Sequence, residues 1–166
     1  LAGPFAQLTT AAIDLGIARA ALSDTVSFVS EFARPWIDAG VEHASEDPLT
    51  IYQIGQLDSR LAAADALLER AGKVLDRYKY DLSEDNVAQA SIAVARAKVF
   101  TTEAALEAAS RLFELSGTRS TSIALNLDRH WRNGRVHTLH DPVRWKYHWI
   151  GAWHLTGRIP PRHGAL

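Results

Sequence analysis

Apolar residues recur three or four positions apart through three long stretches of this chain, and nowhere does a period-two alternation persist. That spacing lines up one face of an α-helix, which turns once per 3.6 residues, and excludes a half-buried sheet. Leu8, Ala11, Ala12, Leu15, Ala18, Leu22, Val26 and Val29 make the first stripe, in a helix predicted from Phe5 to Ala33. Pro35 closes it, because proline cannot continue the backbone ladder. Past the Glu46-Asp47-Pro48 turn signal a second helix is predicted from Leu49–Thr50 to about Tyr78, with Ile54, Leu57, Leu61, Ala64, Leu68, Ala71 and Leu75 inward. Ser83 is a suitable N-cap for the third, which runs through Val87, Ile92, Val94, Val99, Ala105, Leu106 and Leu112 to Leu115 and stops at Ser116-Gly117. A fourth helix is expected from just after Ser120–Thr121 through Leu125, Leu127 and Trp131 towards Val136. Asp141-Pro142 separates it from a fifth, Val143 to Leu155. The expected fold is all-α: an antiparallel four-helix bundle with an additional C-terminal helix, residues 1–166 forming one domain.

The chain has 166 residues, of which 47% are apolar, so it can bury a real core. A net charge of −1 points to neither a nucleic-acid nor a membrane partner, and no apolar run approaches the length of a membrane span. The charge is segregated, however: residues 1–110 carry −7 and residues 111–166 carry +6. The basic part also holds six of the seven histidines and four of the five tryptophans, which marks it as the place to look for a ligand. With no cysteine, disulfides and thiolate metal sites are excluded, and a cytoplasmic setting is expected. With no methionine, residue 1 is not expected to be the start of the gene product.

The candidate chemistry lies between Arg129 and Asp141. His137 and His140 are three apart and share a helical face, with Asp141 beside them to orient an imidazole or accept a proton. The competing reading is a pair of surface histidines on a basic helix. No metal site is expected, because the histidine pair lacks a third and fourth ligand. Arg129, Arg132, Arg135 and Arg144 suit a phosphate, but they suit ion pairs with the acidic N-terminal helices equally well. Trp145, Trp149 and Trp153 fall at i, i+4, i+8 and read as packing, in the core or against another subunit.

The stretch from Arg129 to Tyr147, RHWRNGRVHTLHDPVRWKY, resembles the C-terminal domain of flavin-dependent monooxygenases built on the acyl-CoA dehydrogenase fold. Its likeness is to the dibenzothiophene monooxygenase and sulfur-acquisition oxidoreductase type. Leu15–Leu22, Ser116-Gly117-Thr118 and Pro160-Pro161 fit the same pattern. The resemblance implies that this bundle is the C-terminal part of a larger chain, with the flavin between it and a β-barrel domain, and that bundles build a homotetramer. It implies reduced FMN supplied by a flavin reductase, O2 as co-substrate and a small organosulfur or aromatic substrate. His140 would be the acid–base group beside the flavin, His137 its partner, and Asp141 and Asn133 orienting groups. Arg132, Asn133 and Arg129 would face the cofactor. The bundle alone would be inactive.

Two alternatives stand beside this. One is an acyl-CoA dehydrogenase-type oxidoreductase using FAD, with Asp141 as base. There the family's glutamate-Gly-Thr turn is replaced by Asp141-Pro142-Val143, and its Arg-Asp pair by Arg132-Asn133, which favours the oxygenase branch. The other is a non-catalytic oligomerisation module.

Overall fold

The computed structural model describes residues 1–164. Five α-helices account for most of the described chain: α1 (Ala2–Glu31), α2 (Pro48–Tyr78), α3 (Glu84–Ser116), α4 (Arg129–Leu139) and α5 (Val143–Thr156). Their ends follow local chemistry. Asp47 caps α2 by accepting hydrogen bonds from the backbone N–H of Leu49 at 2.8 Å and Thr50 at 3.4 Å, with Pro48 in the first turn. The Ser83 hydroxyl accepts from the Asn86 N–H at 3.3 Å and starts α3. Gly117 ends α3 at φ 72°, in the left-handed region open to glycine.

Side-chain pairs fix the directions of the helices. Arg19 meets Asp65, and Leu8 packs on Gly72, so α2 runs antiparallel to α1. Arg60 with Glu107, Gln53 with Arg111 and Tyr78 with Gln89 make α3 antiparallel to α2 and therefore parallel to α1. Asp24 with His130 and Asp14 with His137 set α4 antiparallel to α1. Glu103 with Tyr147 and Arg96 with His154 set α5 antiparallel to α3. α4 and α5 thus run the same way, as a fourth arm broken at residues 140–142, with α5 the additional C-terminal helix. The expected bundle is present.

α1 and α3 make the most extensive helix contact. Leu15, Ala18, Ala21 and Phe28 of α1, Leu57, Leu61 and Ala64 of α2, and Ala104, Ala105, Ala108 and Leu112 of α3 form the larger core, and Leu127 closes it. The many alanines let the backbones approach closely.

Three expectations are corrected. The stripe of α1 passes through Ala21, Thr25 and Phe28, whereas Ala12 and Val26 are exposed, because the buried face drifts slowly around a long helix. α1 also starts earlier than Phe5, since proline at Pro4 is acceptable where the N–H has no partner in the helix. The fourth helix starts at Arg129 and not after Thr121. Two 3₁₀ turns, Thr118–Thr121 and Ile123–Leu125, intervene, and Asn126 adopts the left-handed conformation at φ 49°. No helix among the described residues is long and apolar enough to cross a membrane.

Candidate active-site face of the bundle

Asp14 is the anchor. It lies on the inner face of α1, three residues from Ala11 and four from Ala18, and is fully buried. Its Oδ2 accepts from Lys98 Nζ at 2.7 Å and from Thr102 Oγ1 at 2.8 Å, both on α3. Its Oδ1 lies 2.5 Å from Nδ1 of His137 on α4. Three helices therefore meet on one carboxylate, and Lys98 is as deeply buried as Asp14. A charge pair this deep survives only because each remaining lone pair and proton finds a partner.

A second buried pair sits just past the end of α4. Asp141 occupies the break in the fourth arm, and Lys146, one turn into α5, places Nζ 3.0 Å from its Oδ2. Both side chains of this ion pair are almost wholly withdrawn from solvent. Burial pushes the Lys146 ammonium's pKa down; the neighbouring Asp141 opposes that shift and the charge of Lys98 adds to it. The two ion pairs are thus close enough to feel each other.

His137 is partly buried. With Ile13 and Ile17 of α1 and Trp131, Val136 and Leu139 of α4 it lines an open groove of about 760 Å³, whose remaining lining is Arg132, Asn133 and Arg135. An apolar wall with a few polar groups along one side is the usual make-up of a small-molecule site. Gly134 belongs to the same helix, where the site of an added Cβ would lie 3.5 Å from Ile17 Cγ2, an ordinary contact. A separate cavity of about 440 Å³ lies between the two termini, near Leu1, Pro4, Val87 and His163.

The other predicted residues are placed as follows. His140 is the C-cap of α4 and is exposed; its backbone N–H donates to the His137 carbonyl at 3.3 Å, and its ring makes no hydrogen bond among the described residues. Asp141 faces Lys146 and not an imidazole. Arg129 pairs with Asp24, which also receives the buried His130 at 2.7 Å, so for Arg129 the interhelical ion pair is realised. Arg132 reaches Asp128 at 2.8 Å and the Asn126 side chain at 3.0 Å, both near its own helix, on the exposed surface. Asn133 and Arg135 are exposed and make no side-chain hydrogen bond or ion pair among the described residues. Among the described residues no three His, Asp or Glu side chains converge as metal ligands. Of the tryptophans, Trp145 is exposed and Trp149 and Trp153 are partly buried, with His148 edge-on to Trp145 and Trp149.

Asp14, Lys98, Thr102 and Lys146 were not predicted from the sequence. A charged residue inside an apolar stripe is the signal that finds two of them: Asp14 falls between Ala11, Leu15 and Ala18, and Lys98 between Val94, Ala95, Ala105 and Val99.

Fold and groove together define a helical bundle that lines an open, mostly apolar groove with side chains from facing helices. The chain belongs to the family described as acyl-CoA dehydrogenase, C-terminal domain, whose model matches residues 8–145. Dibenzothiophene monooxygenase of Mycolicibacterium goodii is 40% identical over 163 residues, covering 96% of this chain and 39% of that protein. The probable FMNH2-dependent monooxygenase SfnC of Pseudomonas putida is 35% identical over 158 residues, covering 93% of this chain and 40% of that protein. The FMN-bound structure of TdsC from Paenibacillus sp. A11-2 superposes with a TM-score of 0.94 at 34% identity, covering 99% of this chain and 42% of that one. The chain therefore spans about two fifths of the length of the relatives it matches.

Proposed function

We propose that this chain is the C-terminal bundle of a two-component flavin-dependent monooxygenase, acting with reduced FMN and O2 on an organosulfur compound. The observation that carries the reading is His137: an imidazole fixed by a buried carboxylate and presented on an otherwise apolar groove. Relatives that bear the names dibenzothiophene monooxygenase and FMNH2-dependent monooxygenase support the chemistry and the cofactor. A flavin reductase is the implied partner, and the complete enzyme is proposed to be a homotetramer in the cytoplasm.

The donor set fits a flavin. Ile13, Ile17, Trp131 and Val136 offer a flat ring an apolar face, and the Asn133 amide and Arg135 guanidinium stand unpaired beside it. Arg132 is exposed and held only by local partners, so it can turn to a phosphate; Arg129 is committed to Asp24 and is left out of the cofactor set. Reduced flavin, when bound, supplies the electrons that activate oxygen. The chain's own residues do the rest. The apolar wall excludes water, and His140 donates or accepts the proton, with His137 as its partner at Nε2. Asp141, tied to Lys146, holds the backbone at residues 140–142 and so keeps His140 at the end of α4.

The dehydrogenase alternative needs Asp141 as a free base, and its buried contact with Lys146 gives that reading no support. Anaerobic titration of the complete protein with reduced FMN tests the proposal. Saturable binding, weakened in Asn133→Ala and Arg135→Ala, supports it; no binding of reduced FMN to the complete protein rejects it.

A further inference from the structure

We propose that Asp14 is the positioning residue for His137: its carboxylate holds the imidazole as the Nδ1–H tautomer and leaves Nε2 as the nitrogen that exchanges a proton in the groove. The tautomer follows from geometry alone; the use of Nε2 rests on the monooxygenase reading.

The donors around Asp14 decide the matter. Lys98 Nζ and Thr102 Oγ1 both donate to Oδ2, at 2.7 Å and 2.8 Å, so that oxygen has no room for a proton. A proton on Oδ1 would leave the Lys98 ammonium beside a neutral acid in a site sealed from water, where an uncompensated charge is costly. Asp14 is therefore an ionised, acceptor-only group, and the contact at 2.5 Å requires Nδ1 of His137 to be the donor. In the neutral imidazole Nε2 then carries the lone pair. It has no partner among the described residues, on a side chain that lines the groove. Lys98 has a further effect. Because it already balances Asp14, the carboxylate orients a neutral imidazole without a net negative charge in the bundle.

The same donors make a substitution informative. In Asp14→Asn the carbonyl oxygen must face the Lys98 ammonium, which can only donate, so the amide NH2 faces Nδ1. That nitrogen must then accept, and the proton moves to Nε2. The tautomer inverts with little change in shape.

The experiment is 15N NMR of the histidine-labelled complete protein at a pH where imidazoles are uncharged, with His137→Gln identifying the signal. We expect a protonated Nδ1 and an unprotonated Nε2 in the wild type, and the reverse in Asp14→Asn. A wild-type His137 protonated on Nε2 overturns the inference without any variant; so does a folded Asp14→Asn that keeps the wild-type tautomer. If the single variant does not fold, the tautomer of the wild-type His137 decides the inference by itself. In the complete enzyme supplied with reduced FMN, Asp14→Asn should lower turnover about 100-fold or more with little change in substrate KM. Unchanged turnover of Asp14→Asn in an active enzyme overturns the positioning role. A wild type with no oxygenase activity at all overturns the functional reading and leaves the tautomer result standing.

Discussion

Lys98 on α3 and Asp14 on α1 form an ion pair at 2.7 Å with both side chains sealed from solvent. They join the two helices that pack most extensively, at the level where His137 of α4 comes in. Removing one member of such a pair strands the other in a medium that cannot solvate it. Lys98→Met is therefore expected to destabilise the chain by about 3–5 kcal/mol. Urea denaturation followed by circular dichroism measures this, and a loss below about 1 kcal/mol, the worth of an exposed pair, would contradict the account.

Asp47 sits at the start of α2, almost wholly buried, and its carboxylate satisfies two backbone N–H groups. Among the described residues no other side chain accepts from these two N–H groups. Asp47→Ala should cost about 1–2 kcal/mol, and Asp47→Ser should restore most of it, since serine also accepts at this position. Equal loss in both variants would mean that the carboxylate acts through something other than the cap.

Tyr147 donates its phenolic hydrogen to Glu103 at 2.6 Å, across the contact between α5 and α3. That hydrogen bond, with some desolvation and the carboxylate's negative charge, pushes the Tyr147 pKa up to about 12. A raised folded-state pKa gives stability that is complete below the unfolded tyrosine value near 10 and is lost as pH rises towards 12. Ultraviolet titration should show a late-ionising phenol that disappears in Tyr147→Phe and returns towards its ordinary value in Glu103→Gln. A Tyr147 that ionises with the exposed tyrosines would contradict this.

His140 is exposed at the end of α4 and its ring holds nothing in the fold together. His140→Ala should change stability by no more than about 0.5 kcal/mol. In the complete enzyme it should lower oxygenation by about 10²–10⁴-fold, the range of a lost acid–base group. A large loss of stability, or unchanged turnover, would each remove it from the site.

The three long helices were legible in the sequence because their signals are local. A stripe of apolar residues, Pro35 as a stop, Ser83 as a cap and a left-handed Gly117 each act within a turn or two of chain. The start of α4 was not, because Leu125, Leu127 and Trp131 keep a helical spacing even though Asn126 turns the backbone between them. The motif around His137 and His140 was visible as residue types, but its support was not. Asp14, Lys98 and Thr102 lie 123, 39 and 35 positions before His137, and only the packing of three helices brings them together. Charge segregation likewise pointed to arginines near a ligand, yet it was equally the pattern of an ion pair between helices, which Arg129 and Asp24 make.

The most direct test of the central claim is the fate of oxygen. The complete protein would be given reduced FMN, isotopically labelled O2 and a panel of organosulfur compounds, and the products read by mass spectrometry. The account predicts label in an S-oxygenated product, dependent on reduced FMN and lost in His140→Ala. An unlabelled substrate, together with reduction of the bound flavin by an acyl thioester in the absence of oxygen, would contradict it and assign the bundle to the dehydrogenase branch.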